Sequence, residues 1–450
     1  VTDAQVPNNI TINYAATAGT ASTASTASGL SGALSVPGNR IALGTGVWLE
    51  AGANGRLFLS AGGQQLALPV GRWTHPAGIL DNISPDGEHT LVPKVAMDNN
   101  GNTIIVWEQS DGSKSRIFKS EYRGGVWTHP GALSDNISPD GQTAYYPQAA
   151  MDDNGNAIIC WYQNDGSRYQ IFKSEYRGGV WTHPGGLSDN ISPDGQDAYG
   201  VQVEMDNNGN AIICWYQSDG SQNQIFKSEY RGGVWTHPGG LSDNISPDGE
   251  TADDPQVAMD NNGNAIICWN QDDGSQDQIF KSEYRGGVWT HPGGLSDNIS
   301  PDGQHTNNPE LAMDNNGNAI IVWYQRDGSN NQIFKSEYRG GVWTHPSDLF
   351  DNISPDGQMA FSPRLEMDDN GKAIICWQQS DGSTQQIFKS EYRSGVWTHP
   401  AALFDNISPD GENAYGPKVV MDNNGNAIIV WRQFDGSKYQ TYKSEYRFGF

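Results

Sequence analysis

Short apolar stretches alternate with polar, glycine-rich turns along most of the chain, and the same alternation returns every 54 residues. Its first complete round begins with Pro93-Lys94-Val95-Ala96-Met97, which reads as a strand, a. The turn Asp98-Asn99-Asn100-Gly101-Asn102 follows, a composition that closes hairpins. Thr103 to Gln109 is apolar on both faces, as a strand covered on both sides should be, and forms strand b. After Ser110-Asp111-Gly112-Ser113, strand c runs from Ile117 to Tyr122. Arg123-Gly124-Gly125 turns the chain into strand d, Val126-Trp127-Thr128-His129. The segment Asn136-Ile137-Ser138-Pro139-Asp140-Gly141 leads to the next strand a.

Trp-Thr-His-Pro starts at Trp73, Trp127, Trp181, Trp235, Trp289, Trp343 and Trp397, so Trp73 to Phe450 holds seven units with no remainder. Four-stranded units at this period predict a β-propeller. The first unit opens on a strand d, whereas the last ends at Phe450 after strands a, b and c. The strand at Trp73 is therefore expected to complete the seventh blade and remove an exposed edge. The predicted fold is all-β: a seven-bladed propeller over 72–450, closed by that outer strand, behind an extended β and low-complexity segment over 1–71. In such a meander the a–b and c–d turns share one end, the bottom, and the b–c and d–a loops share the other, the top.

Composition changes this picture little. The net charge is −25, but each repeat carries the acids Asp81, Asp86, Asp98, Asp111 and Glu121 against Lys119 and Arg123, so the negative charge is spread around a ring. That excludes a nucleic-acid surface, which must be basic. No apolar run reaches the roughly 18–20 residues of a membrane span. Cys160, Cys214, Cys268 and Cys376 share one repeat position with Val106, Val322 and Val430, so they read as small buried apolar groups. The Asp98 turn resembles the start of a calcium loop but lacks its spacing and reads as a hairpin turn. The repeat histidine, one per blade on an outer strand, cannot converge on a metal. No cofactor is called for.

The bottom turns hardly differ between repeats, whereas the top loops differ at nearly every blade. Drift in exposed loops is one reading. A recognition surface is the other, because Tyr, Asn, Asp and Arg recur there. The candidates are Tyr145, Tyr146, Tyr162, Tyr169, Tyr199, Tyr216, Asp253, Asn270, Asn307, Tyr324, Tyr415 and Arg432. Ring faces beside polar side chains suit sugars, so surface glycans are the expected ligand class.

The recurring Met151-Asp152-Asp153-Asn154-Gly155-Asn156-Ala157-Ile158-Ile159-Cys160-Trp161 resembles the Asp-box, BNR-like repeats of bacterial propellers, which include sialidases and lectins. It departs from the strict Asp-box two positions before the Asp, where Ala, Val or Glu replaces Ser or Thr. A sialidase, by that resemblance, would bring three arginines together near the axis with a Tyr–Glu pair. Of the non-repeat arginines Arg116, Arg168, Arg326, Arg364 and Arg432, only Arg364 starts a strand a. The near-identity of the blades also speaks against the unequal residues of a catalytic site.

Before the propeller, Ala recurs at every third position from Ala15 to Ala27. Such a stretch cannot bury a core alone. With the short alternating strands of 40–70 it resembles the stems of phage tail fibres and trimeric adhesins. Ile10, Ile12, Tyr14, Ala18, Ala21 and Ala24 are the expected assembly residues, binding other copies of the chain through 1–71. The expectation is thus a non-enzymatic extracellular fibre or appendage subunit, at a cell or virion surface, that displays the propeller. A free propeller lectin is the alternative, and a sialidase-like glycosidase is disfavoured.

Overall fold

The computed structural model describes residues 12–15, 21–24, 40–44, 47–51, 57–61, 64–68, 76–77 and 79–447. The chain divides into two compact units, Val1–Asn82 and Ile83–Phe450. In the first, Ile12–Ala15 pairs antiparallel with Ala21–Ala24. A four-stranded antiparallel meander follows, built from Arg40–Gly44, Val47–Ala51, Leu57–Ala61 and Gln64–Leu68. Ile12, Tyr14, Ala21 and Ala24 lie on the paired strands. Ile10 and Ala18 lie outside the described residues.

The second unit is the seven-bladed propeller: six four-stranded antiparallel sheets and a three-stranded seventh, each in sequence order. Blade 1 is built from Thr90–Met97, Thr103–Ser110, Ser115–Arg123 and Val126–Thr128. The seventh is built from Ala414–Met421, Ala427–Phe434 and Tyr439–Tyr446. Trp73, expected to complete it, lies outside the described residues.

The repeat residues explain each blade. The apolar run of strand b is sealed between two blades, with Ile158, Ile159, Cys160 and Trp161 fully buried. The cysteines sit there as thiols whose ionisation burial opposes, that of Cys376 being pushed up to about 12. The strand-b tryptophan donates to a glutamine two residues on, as Trp161 Nε1 does to Gln163 Oε1 at 3.1 Å. Gln163 Nε2 then donates to the Pro139 and Gln142 carbonyls, tying the incoming d–a loop to the sheet. A buried amide so placed has its capacity used within the fold. The a–b turn is equally self-sufficient: Asp152 Oδ1 accepts the amide N–H groups of Asn154 and Asn156, and its Oδ2 accepts from Asn156 Nδ2. The repeat histidine stacks on its tryptophan and hydrogen-bonds a serine of strand c, as His183 Nδ1 does with Ser174 Oγ at 2.9 Å.

Junctions between blades are polar and aromatic at the rim. Arg123 lies 3.8 Å from the centre of the Tyr176 ring on the next blade and donates to the Gly155 carbonyl. Lys119 sits 4.6 Å above the Trp181 ring, whose Nε1 donates to Glu121. The arginine contact recurs at every junction from blades 1/2 to blades 6/7. Among the repeat charges, Lys119, Glu121 and Arg123 thus hold blade to blade, whereas Asp98 and Asp111 are spent within their own turns. At the first blade of the array, Val95 and Met97 are 64% exposed, whereas Val257 of blade 4 is 8% exposed.

Candidate functional site

The site is built at the top of strand a. Each of these strands shifts register there, between Tyr145 and Gln148 in blade 2 and at the equivalent place in every other blade. The extra residue takes a positive φ: Val92, Tyr146, Gly200, Asp254, Asn308, Ser362 and Gly416 lie between 50° and 66°. Only two of these are glycine, so the bulge holds five side-chain-bearing residues in a costly conformation. Bulges of this kind re-aim side chains at the rim of a sheet. Nothing in the sequence announces them, because the position carries Val, Tyr, Gly, Asp, Asn and Ser in turn.

Blades 2 and 3 bring six candidate tyrosines into one surface. Tyr146 stacks on Tyr162 at 5.7 Å, Tyr162 meets Tyr199 edge-on at 5.2 Å, and Tyr199 lies 6.0 Å from Tyr216. Tyr145 and Tyr169 close the group against Tyr162. Behind it, the buried Glu108 of blade 1 accepts the Tyr146 amide N–H. Gly200 is required by this surface. A Cβ there would come within 2.5 Å of the Tyr216 ring.

The tyrosine surface runs into a carboxylate cluster on blade 4, Asp253, Asp254 and Asp277. Burial, then the charges of Asp254 and Asp277, push the Asp253 carboxyl up to about 6, against a hydrogen bond from Asn270. Burial also raises Asp254. Tyr216 is raised by burial and by both Asp253 and Asp254, and Tyr324 by burial and Asp254, so the charge of Asp254 acts on both rings. Thr306 Oγ1 donates to Asn270 Oδ1 at 2.7 Å, and His305 Nδ1 lies 3.1 Å from Asp277 Oδ2. Asn307 pairs with Tyr324 across the strands, and Tyr324 meets Phe361 of blade 6 edge-on at 5.7 Å. Tyr415 and Arg432 form a separate group on blade 7, the guanidinium lying 5.8 Å from the Tyr415 ring and 5.4 Å from that of Tyr439.

Below the bulge, strand a lines the axis with Arg364, Glu310, Glu204 and Glu366, of which only Arg364 stands out in the sequence as a candidate. Arg364 Nη1 donates to Glu310 at the equivalent position of the preceding blade. One step lower are Glu204 and Glu366, on blades 3 and 6. Burial raises both to about 7, and Glu366 is raised further by the charges of Glu204 and Glu310. The sequence carried this signal only as the place where Glu stands in for the Asp-box Ser or Thr. Arg116, by contrast, is structural: it pairs with Asp111 at 2.6 Å and donates to the Pro139 and Gln142 carbonyls. Among the described residues no cluster of His, Cys, Asp and Glu is arranged to hold a metal, and no helix is long and apolar enough to cross a membrane.

No family model matches the chain, and no curated protein matches it. Solved structures do share its fold. An ulvan lyase, described as a new family of polysaccharide lyase, PL25, is 10% identical at a TM-score of 0.48, over 80% of this chain and 94% of that one. A Hadza microbial sialidase is 12% identical at a TM-score of 0.37, over 64% of this chain and 63% of that one. The GH93 α-L-arabinofuranosidase of Fusarium graminearum is 14% identical at a TM-score of 0.35, over 69% and 96%. These likenesses concern the fold alone, but they correct the expectation of a non-enzymatic fibre subunit. The near-identity of the blades speaks against catalysis, yet the solved propellers similar to this chain are named as a lyase, a sialidase and glycoside hydrolases. The physical reason is visible here: blades identical at their junctions are unequal at the top and along the axis, where Asp253, Glu204, Glu310 and Arg364 each lack a like residue at most of the equivalent positions.

Proposed function

We propose that the chain is a glycan-processing enzyme whose substrate lies along the top face, with Asp253 as proton donor. The observation that carries this reading is the position of Asp253: a carboxyl lifted to about 6, at the end of a continuous tyrosine surface. Sugar rings stack on the tyrosines through their C–H faces. Asp253, protonated, gives its proton to the glycosidic oxygen as the bond from that oxygen to carbon breaks. Asp277 is the neighbouring carboxylate that takes up the balancing proton, from an attacking water or from the sugar itself. Two carboxyl groups in unequal surroundings suit this division of labour.

The test is to incubate the full chain with a panel of plant, algal and bacterial polysaccharides and follow new chain ends. Wild type is expected to produce them from at least one polymer. D253N is expected to lose the activity by about 100-fold or more while still binding the polymer in affinity electrophoresis. A wild-type protein that cleaves nothing on the panel refutes the reading, and a D253N variant as active as wild type refutes the assignment of the proton donor.

A further inference from the structure

The axial channel holds a second feature that the top-face reading does not use. The second strand-a position below the bulge residue is Lys94, Gln148, Gln202, Gln256, Glu310, Arg364 and Lys418 around the ring. All seven are polar and long, although the strand positions on either side are almost entirely apolar. That the members reach each other is shown by the Arg364–Glu310 contact between equivalent positions of neighbouring blades. The charges of Lys94 and Lys418 also act on Glu310, and that of Lys94 on Lys418, so the first and last blades meet the others on one axis.

Three cations thus surround one carboxylate in a chain whose net charge is −25. They differ from the repeat bases in what they do. Lys119, Lys173 and Lys227 are each engaged with a glutamate of their own strand. Among the described residues, the side chains of Lys94 and Lys418 make no hydrogen bond or ion pair, nor do the side-chain amides of Gln148, Gln202 and Gln256. Burial, and then Arg364 and Lys94, work against the charge on Lys418, with Glu310 acting the other way. A collar with surplus positive charge and unspent N–H donors is complementary to an oxyanion. Glu204 and Glu366 lie two residues further down and bar an anion from going deeper. The bulge lies two residues above, roughly 7 Å at the rise of a strand.

We propose that this collar is an anion subsite, in which Lys94, Arg364 and Lys418, with the glutamine amides, hold the carboxylate or sulfate of an acidic sugar. The inference rests on the top face being a glycan site and adds the substrate class: a polymer carrying uronate or sulfate groups, one of which dips into the axis while the chain lies on the tyrosines. A phosphate or citrate ion free in solution would satisfy the same donors, so the test separates free anion from sugar acid.

Full-length protein is titrated calorimetrically with inorganic sulfate, with glucuronate oligosaccharides, with sulfated oligosaccharides and with neutral oligosaccharides of equal length. Acidic oligosaccharides are expected to bind at least 10-fold tighter than neutral ones, and the margin is expected to shrink in high salt. The choice between uronate and sulfate is read from the two acidic arms. In K94Q/K418Q the margin is expected to vanish with neutral binding unchanged. In E310Q, which releases Arg364, acidic oligosaccharides are expected to bind several-fold tighter, a gain that a merely structural role of Glu310 would not produce. Equal affinity for acidic and neutral oligosaccharides, or a margin untouched in K94Q/K418Q, overturns the inference and leaves the top-face reading standing. Sulfate binding without any oligosaccharide binding also overturns it, as a free-anion site, and no binding of any saccharide sinks the top-face reading itself.

Discussion

Trp235 Nε1 donates to Glu175 Oε2 at 2.9 Å, and the bond joins blade 3 to blade 2. Lys173 covers the same indole ring at 4.6 Å and pairs with the same carboxylate, so one tryptophan ties together the three charges of a neighbouring strand.

This bond makes acid a cumulative denaturant. Burial alone would raise Glu175, but the Trp235 bond, Lys173 and Arg177 outweigh it and hold the carboxyl below its usual range. Glu121, Glu229, Glu283 and Glu337 are depressed in the same way, and Glu391 by Lys389 and Arg393 without a tryptophan among the described residues. A depressed carboxyl stabilises the fold above its unfolded pKa, and that stability is lost as pH falls through the folded value. Thermal unfolding is expected to drop steeply below about pH 4, and E175Q to unfold at lower temperature at neutral pH, by about 1–3 kcal/mol. Melting curves across pH for both proteins check this.

Glu204 and Glu366 carry the opposite sign. Their carboxyls are raised to about 7, so what they contribute is present below the usual carboxylate range and lost as pH rises through about 7. E204Q/E366Q is expected to be more stable than wild type at about pH 8, by at least about 1 kcal/mol, and indistinguishable at about pH 4. Denaturant titrations at the two pH values decide it, and a variant less stable at the higher pH would show the pair to be structural.

Gly200 and Gly416 have nearly equal φ, +66° and +63°, but different surroundings. At Gly200 an added methyl would strike Tyr216, whereas at Gly416 it meets nothing within 4 Å. G416A is expected to cost about 1 kcal/mol for the backbone alone, and G200A to cost more. G200A is also expected to lose glycan affinity because Tyr216 must move. Stability and binding measured on the pair separate strain from the loss of a stacking ring.

Activity on the glycan should follow the protonation of Asp253. It is expected to hold below about 6, where the carboxyl carries its proton, and to fall as pH rises beyond it. D254N removes a charge that raises Asp253, so its alkaline limb is expected to move to lower pH. Rate profiles against pH for the two proteins check the direction.

Much of this architecture was legible in the amino-acid order. The seven-bladed fold, the all-apolar strand b and the Cys160-for-Val106 exchange follow from a repeat so regular that one blade reads out the rest. The tyrosines at 145, 146, 162, 169, 199 and 216 were legible as a varied top face, because they break the repeat where its neighbours keep it. The bulge at Val92 and Tyr146 was not, since a positive φ leaves no mark when the residue is not glycine. Glu204 and Glu366 were written off as a departure from a motif. Their meaning lies in the meeting of blades 3 and 6 across an axis, a distance that no local pattern encodes. The roles of Lys119, Glu121 and Arg123 were hidden for the same reason: counted along the chain they are charges, and only across a junction do they become a clasp on Trp181 and Tyr176.

That clasp has a further consequence for how the molecule assembles and changes. Since Arg123, Arg177 and Arg231 make the same contacts to the same partners, any blade offers its neighbour an equivalent mating surface. Nothing in the rim clasp tells blade 2 from blade 5. At the rim, neighbours are selected by tether length alone, so a nascent chain is open to skipping a blade and looping out the one between. For the same reason an in-frame duplication or deletion of one unit leaves every remaining rim clasp intact. Blade number can therefore be gained or lost in a single genetic step, while the top-face residues travel with each blade as a separable cargo.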